Sequence, residues 1–150
     1  MIVRPRRAIY GFAGCMALII ASASFLAWAK SQYRYPDAVQ TAQTFLSRLN
    51  NGDFRGAHDL TFKSGYVGGS LGEFRKLAER EAAICWRGRL AWTSPPQTNG
   101  NRLRRRIRGE SADMNELNLD FESGPCLLSV RLRRTSDADW KIFYFASHAG

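Results

Sequence analysis

Eight arginines recur at alternate positions in segments that read as β-strands: Arg87 and Arg89, then Arg102, Arg104, Arg106 and Arg108, then Arg131 and Arg133. A guanidinium presents a planar fork of donors that matches carboxylate and phosphate oxygens. A period of two turns alternate residues to one face of a sheet, so neighbouring strands would merge these side chains into one basic patch for an anion or a partner. The same pattern also describes a solvated outer face whose charges keep strand edges from pairing with other chains. Glu116 and Asp120 offset part of that charge, and both readings stay open.

Other chemistry is sparse. His58 and Asp59 are the only adjacent His-acid pair. On a helix, neighbours point about 100° apart, so they form no dyad by themselves and a solvated His58 is expected. His148 falls in the C-terminal tail of residues 148–150. The glycines at 65, 68 and 69 lack the spacing of phosphate-cradling loops, so no nucleotide is implied. No His or Cys spacing suits a metal, no nucleophile signature is present, and no cofactor or catalytic residue is assigned. Cys15 lies in an apolar stretch, leaving Cys85 and Cys126 either as a disulfide or as two buried thiols.

The chain has 150 residues, 45% hydrophobic, with 22 Lys and Arg against 13 Asp and Glu. That composition describes a folded domain and not a disordered tail. Three of the basic residues precede residue 8, so the rest of the chain carries 19 of them with all 13 acids, a net +6. Such a domain favours anionic lipid, cell-wall polymer or an acidic protein complex over nucleic acid, which is not expected as a partner.

What must position these residues begins with residues 8–29, twenty-two residues without a charge, preceded by Arg4, Arg6 and Arg7. At about 1.5 Å per residue such a helix would cross roughly 30 Å of hydrocarbon. The expectation is a basic cytoplasmic tip at 1–7, a transmembrane helix or signal anchor at 8–29 and a neck at 30–36. The arginines would keep the N-terminus inside, giving a single-pass inner-membrane protein with its domain in the periplasm or outside. Secretion after cleavage of the segment is the alternative, since Ala21-Ser22-Ala23 and Ala27-Trp28-Ala29 resemble cleavage sites.

Residues 37–147 read as one α+β domain. Asp37, with Gln40 three residues on, opens a helix whose stripe is Val39, Ala42, Phe45, Leu46 and Leu49. Asp53 caps a short second helix, and Ser70 with Glu73 makes a capping box for a third. Strands are then expected over 83–93, 101–110, 116–121, 126–134 and 140–147, the last covered on both faces. The inward positions would be Ile84, Trp86, Leu90, Trp92, Leu117, Leu119, Phe121, Leu128, Val130 and Leu132. Arg105 falls inward between Leu103 and Ile107, which argues for a bulge or an edge.

This layout, with the phrase Leu49-Asn50-Asn51-Gly52-Asp53-Phe54 followed by Ala57 and Leu60, then SLGEFRKL and the closing DWKIFYFAS, resembles the nuclear-transport-factor-2-like superfamily. The resemblance implies a cone of three helices on a curved, mainly antiparallel sheet behind the anchor. Its members include isomerases and dehydratases that use pocket Asp, His or Tyr, small-ligand binders and assembly modules. The expected function is a non-catalytic, membrane-anchored interaction or assembly module with a basic sheet face. The alternative is an exported small-ligand binder, or an isomerase or dehydratase using the cavity of the roll.

Overall fold

A computed structural model describes the backbone of residues 6–81 and 83–149, and the side chains of residues 14–81 and 85–148. The described residues form an α+β protein with five α-helices and a four-stranded antiparallel sheet of order β1-β2-β3-β4. They divide into two compact units.

The first unit comprises residues 6–33 and 97–112. It contains α1 (Arg6–Lys30) and α5 (Asn99–Ile107). Among the described residues no helix is long and apolar enough to cross a membrane. This corrects the expected transmembrane helix and the single-pass inner-membrane placement built on it. Arg4 and the rest of residues 1–5 of the expected tip lie outside the described residues, as do the side chains of residues 6–13.

The second correction in this unit is α5. Residues 101–110 were expected as a strand, with Arg102, Arg104, Arg106 and Arg108 on its outer face. Instead Thr98 caps a helix, its Oγ1 accepting from Asn101 N at 3.2 Å. Leu103 and Ile107, four residues apart, then share a helical face, which removes the conflict that Arg105 posed for alternation. Arginine is a good helix former, and Arg104, Arg105 and Arg106 lie in the last turn, where cations complement the helix dipole. Asn99 N donates to Ser31 O at 3.1 Å, and the Arg102 guanidinium lies 3.4 Å from the Tyr33 ring centroid.

The second unit comprises Arg34–Pro96 and residues 113–149. Its helices are α2 (Pro36–Asn50), α3 (Phe54–Asp59) and α4 (Leu71–Arg80). Two of the three expected caps are present. Asp53 Oδ1 accepts from Gly56 N at 2.9 Å, and the Ser70–Glu73 capping box is complete. At α2 the cap is Tyr35, in left-handed backbone and with no side-chain capping hydrogen bond, because Pro36 takes the first helical turn that Asp37 was expected to precede. Phe45, Phe74 and Phe145 form a contiguous aromatic cluster, with ring centroids 5.3 to 6.2 Å apart, joining α2 and α4 to the sheet.

The strands are β1 (Arg89–Ser94), β2 (Glu116–Ser123), β3 (Cys126–Arg134) and β4 (Trp140–Ala149). Leu117, Leu119, Phe121, Leu128, Val130 and Leu132 are all buried, as their period predicts. Three expectations fail at the margins of the sheet. Residues Ala83–Arg87 form a 3-10 turn, with Cys85 and Trp86 both buried; the side chain of Ile84 lies outside the described residues. In β1 an irregularity between Leu90 and Trp92 inserts one residue, so Thr93 turns inward and Trp92 stands 50% exposed. β4 pairs with β3 alone among the strands, and His148 belongs to this strand, opposite Leu127, and not to a free tail.

Candidate anion-binding cavity

The closing strand carries Phe143 and Tyr144 side by side, which simple alternation would send to opposite faces. The register shifts between Arg131 and Leu132: Arg131 faces Tyr144, while Leu132 faces Ile142. The extra residue leaves Ile142 and Phe145 buried and lets both Phe143 and Tyr144 join the outer face. On β3, alternation delivers Arg131 and Arg133 to that same face. Each guanidinium lies over a ring, Arg131 at 5.0 Å from the Tyr144 centroid and Arg133 at 4.8 Å from that of Phe143. At these distances the ring faces attract the cations without occupying their N–H donors, which an anion could still take.

A loop closes the other side. Phe62 N donates to Ile142 O and Ile142 N to Leu60 O, both at 2.9 Å, so residues 60–62 add a short parallel bridge to the edge of β4. Beyond the bridge Lys63 has φ 51, a left-handed conformation uncommon for a residue with a Cβ. That turn lets Phe62, Ser64 and Tyr66 line the cavity with the two arginines and two rings of the sheet. Its volume is about 630 Å³, in the range of small-ligand sites, which run roughly 300–1,000 Å³.

The charges in this cavity are unequal. Arg133 Nε lies 2.7 Å from Glu116 Oε1, so its charge is partly neutralised. No carboxylate among the described residues forms an ion pair with Arg131. Ser64 Oγ is buried with no hydrogen-bond partner, a donor with a desolvation cost that a bound oxygen would relieve. Beside the loop, Lys63 Nζ donates to Asp59 Oδ1 at 3.1 Å, and this bond and charge hold the Asp59 carboxyl below its usual range. Lys141 Nζ donates to Asp59 O at 2.6 Å, tying the same helix end to β4.

One row further along the outer face, Asp120 is buried on a side of the sheet otherwise open to solvent. Asn118 Nδ2 donates to it at 2.8 Å, and Ser129 Oγ donates to its other oxygen. Asn118 pairs directly with Arg131 in the ladder, so this acidic cluster borders the basic cavity.

The single basic patch expected from sequence is therefore divided. Arg131 and Arg133 share the cavity, and Arg89 lies on the outer edge strand β1. Arg87 sits in the 3-10 turn, its Nε donating to Asn50 Oδ1 at 2.9 Å. Arg102, Arg104 and Arg106 belong to α5 and Arg108 is its C-cap, all in the other unit. Cys85 and Cys126 form a disulfide with a Cα–Cα distance of 5.4 Å, which points to an oxidising environment. His58 is not solvated: it is buried, with Nε2 3.0 Å from Gly68 O and its ring 5.1 Å from that of Phe74. Among the described residues no group of three or more His, Cys, Asp or Glu could hold a metal.

Phe62, Ser64, Tyr66, Phe143 and Tyr144 were not singled out by sequence reasoning. The adjacent Phe143-Tyr144 pair was the available signal, since two neighbouring rings in an edge strand need a bulge to share a face.

No protein family, no curated protein and no solved structure matches this chain. The resemblance to the nuclear-transport-factor-2-like superfamily is withdrawn on that finding, and with it the cone and the membrane-anchor layout. What stands is the α+β meander described above.

Proposed function

We propose that this protein is a non-catalytic recognition module that holds a carboxylate or phosphate, borne on an aromatic or apolar body, in the cavity on the outer face of β3 and β4. The observation that carries this reading is Arg131: set over the Tyr144 ring, unneutralised by any described carboxylate, and opening on a space walled by rings. The guanidinium supplies charge-assisted bonds to the anion, the rings of Phe62, Tyr66 and Phe143 take the body, and Ser64 Oγ adds one donor. The alternative of a ligand or reaction site between sheet and helices has less support, because Phe45, Phe74, Leu119, Leu128 and Phe145 pack that layer.

Phenyl phosphate and benzoate, compared with uncharged benzamide by calorimetric titration, test the reading. Both anions should bind, benzamide at least tenfold more weakly, and Arg131→Glu should abolish binding. Equal affinity of the three probes, or unchanged anion binding by the Arg131→Glu protein, overturns it.

A further inference from the structure

A second cavity lies wholly within the first unit, between the C-terminal half of α1 and one side of α5, with a volume of about 560 Å³. It shares no residue with the cavity on the sheet. Its walls are Phe25 and Leu26 from α1 with Leu103 and Ile107 from α5. These side chains are open to solvent, Phe25 at 53%, Leu26 at 56% and Ile107 at 77% exposed. Exposed apolar side chains that line a concave space mark a ligand surface more often than scattered ones do.

The two helices are held close enough to shape this cleft. A Cβ placed on Gly100 would come within 2.9 Å of Ala29 O, so the glycine permits the approach of α5 to α1. Asn99 fixes the same junction through its Nδ2, which donates to Ser31 Oγ at 2.9 Å.

Its rim is cationic. Lys30 at the end of α1, Arg104 on α5 and Arg108 four residues on, at the C-cap of α5, line the cleft beside the apolar walls. No carboxylate among the described residues forms an ion pair with any of the three. On α5 the apolar pair at 103 and 107 and the cationic pair at 104 and 108 are adjacent in sequence, so the two rows run side by side along the helix. A ligand that satisfied both rows would need a hydrocarbon chain and a negative head.

We infer that the α1–α5 cleft binds a single-chain anionic amphiphile, with an alkyl chain along Phe25, Leu26, Leu103 and Ile107 and a phosphate or carboxylate head at Lys30, Arg104 and Arg108. The apolar walls supply affinity through area removed from water, and the rim selects the sign of the head group.

Titration of the full chain with dodecyl phosphate below its micelle threshold tests this. Dodecyl phosphate should bind at least tenfold more tightly than dodecyltrimethylammonium, which has the same chain and the opposite charge, and more tightly than ethyl phosphate, which lacks the chain. Ile107→Asp and Arg104→Glu should each weaken binding at least tenfold. Both positions are exposed, so circular dichroism should show the fold intact, and Arg89→Glu, the same charge change on the sheet, should leave binding unaltered. Equal binding of the cationic amphiphile, or no loss in either α5 variant, overturns the inference. So does saturation only by anionic phospholipid vesicles, with none by monomeric dodecyl phosphate.

Discussion

The two faces of the β-sheet are built from the same strands, yet they follow different rules. On the inner face Leu117, Leu119, Phe121, Leu128, Val130 and Leu132 alternate without a break and all are buried against the helices. On the outer face Asn118, Asp120, Ser129, Arg131 and Arg133 alternate with them, and the interruptions fall where the edge strands depart from strict register. One such departure exposes Trp92, and the other places Phe143 beside Tyr144. Burial penalises any inner residue that slips by one position, because that slip would send an apolar set into water. The outer face carries no such penalty, so it can accept an extra residue and use it to build a site.

The contrast can be broken most severely from the inside. Phe121→Ala empties a buried site on β2 and should cost about 3–5 kcal/mol in urea unfolding. Its neighbour Glu122, on the outer face, should cost within about 0.5 kcal/mol when changed to Ala. Similar losses at the two positions would show that the outer face is covered in the folded protein.

A smaller loss should follow from removing the disulfide, which ties the 3-10 turn to the start of β3 across 41 residues. Replacing Cys85 and Cys126 together with Ser should lower stability by about 2–4 kcal/mol through the freer unfolded chain. Unchanged stability on reduction would show that packing of Trp86 and the inner face fixes the turn without the bond.

Next comes the cap of α4, which presents Phe74 and Ala78 to the inner layer. Ser70→Ala should cost about 1 kcal/mol. Its partner Glu73 accepts from Ser70 N and Gly69 N, and these bonds hold its carboxyl pKa below the ordinary glutamate value of 4.5. A folded-state pKa below the unfolded one contributes stability that is fully present above about 4.5 and lost as pH falls through the lowered value. Glu73→Gln should therefore differ from the parent at pH 7 and converge with it in acid. A constant difference across that range would deny the link.

The smallest stability effect should come from the cavity. Arg131→Ala should shift stability by less than about 0.5 kcal/mol, since its ring contact is exposed and no ion pair is lost. Its binding of phenyl phosphate should nevertheless fall at least tenfold. A large loss of stability would instead make Arg131 a structural strut of the sheet.

Local rules were legible where the chain answers to its nearest neighbours. Asp53 and Ser70 with Glu73 cap helices where sequence placed them, because a cap needs only a side-chain oxygen and an N–H two or three residues away. The inner alternation of β2 and β3 was equally plain. Residues 102–108 were ambiguous, since Leu103 and Ile107 fit one face of a helix and one face of a strand alike. The expected membrane anchor rested on a charge-free run and its flanking arginines, and among the described residues no helix is long and apolar enough to cross a membrane.

By itself the sequence determined which residues are apolar and with what period, where two of the helices begin, and that arginine supplies most of the charge. Only the tertiary structure decided that these arginines separate between α5 and the sheet, that Cys85 meets Cys126, and that Phe62, Ser64 and Tyr66 approach Phe143 and Tyr144. The reason is physical. A cap or an alternating stripe is an energy shared among residues a few positions apart, whereas a bulge, a bridge to a sheet edge and a crosslink over 41 residues depend on pairing between distant segments.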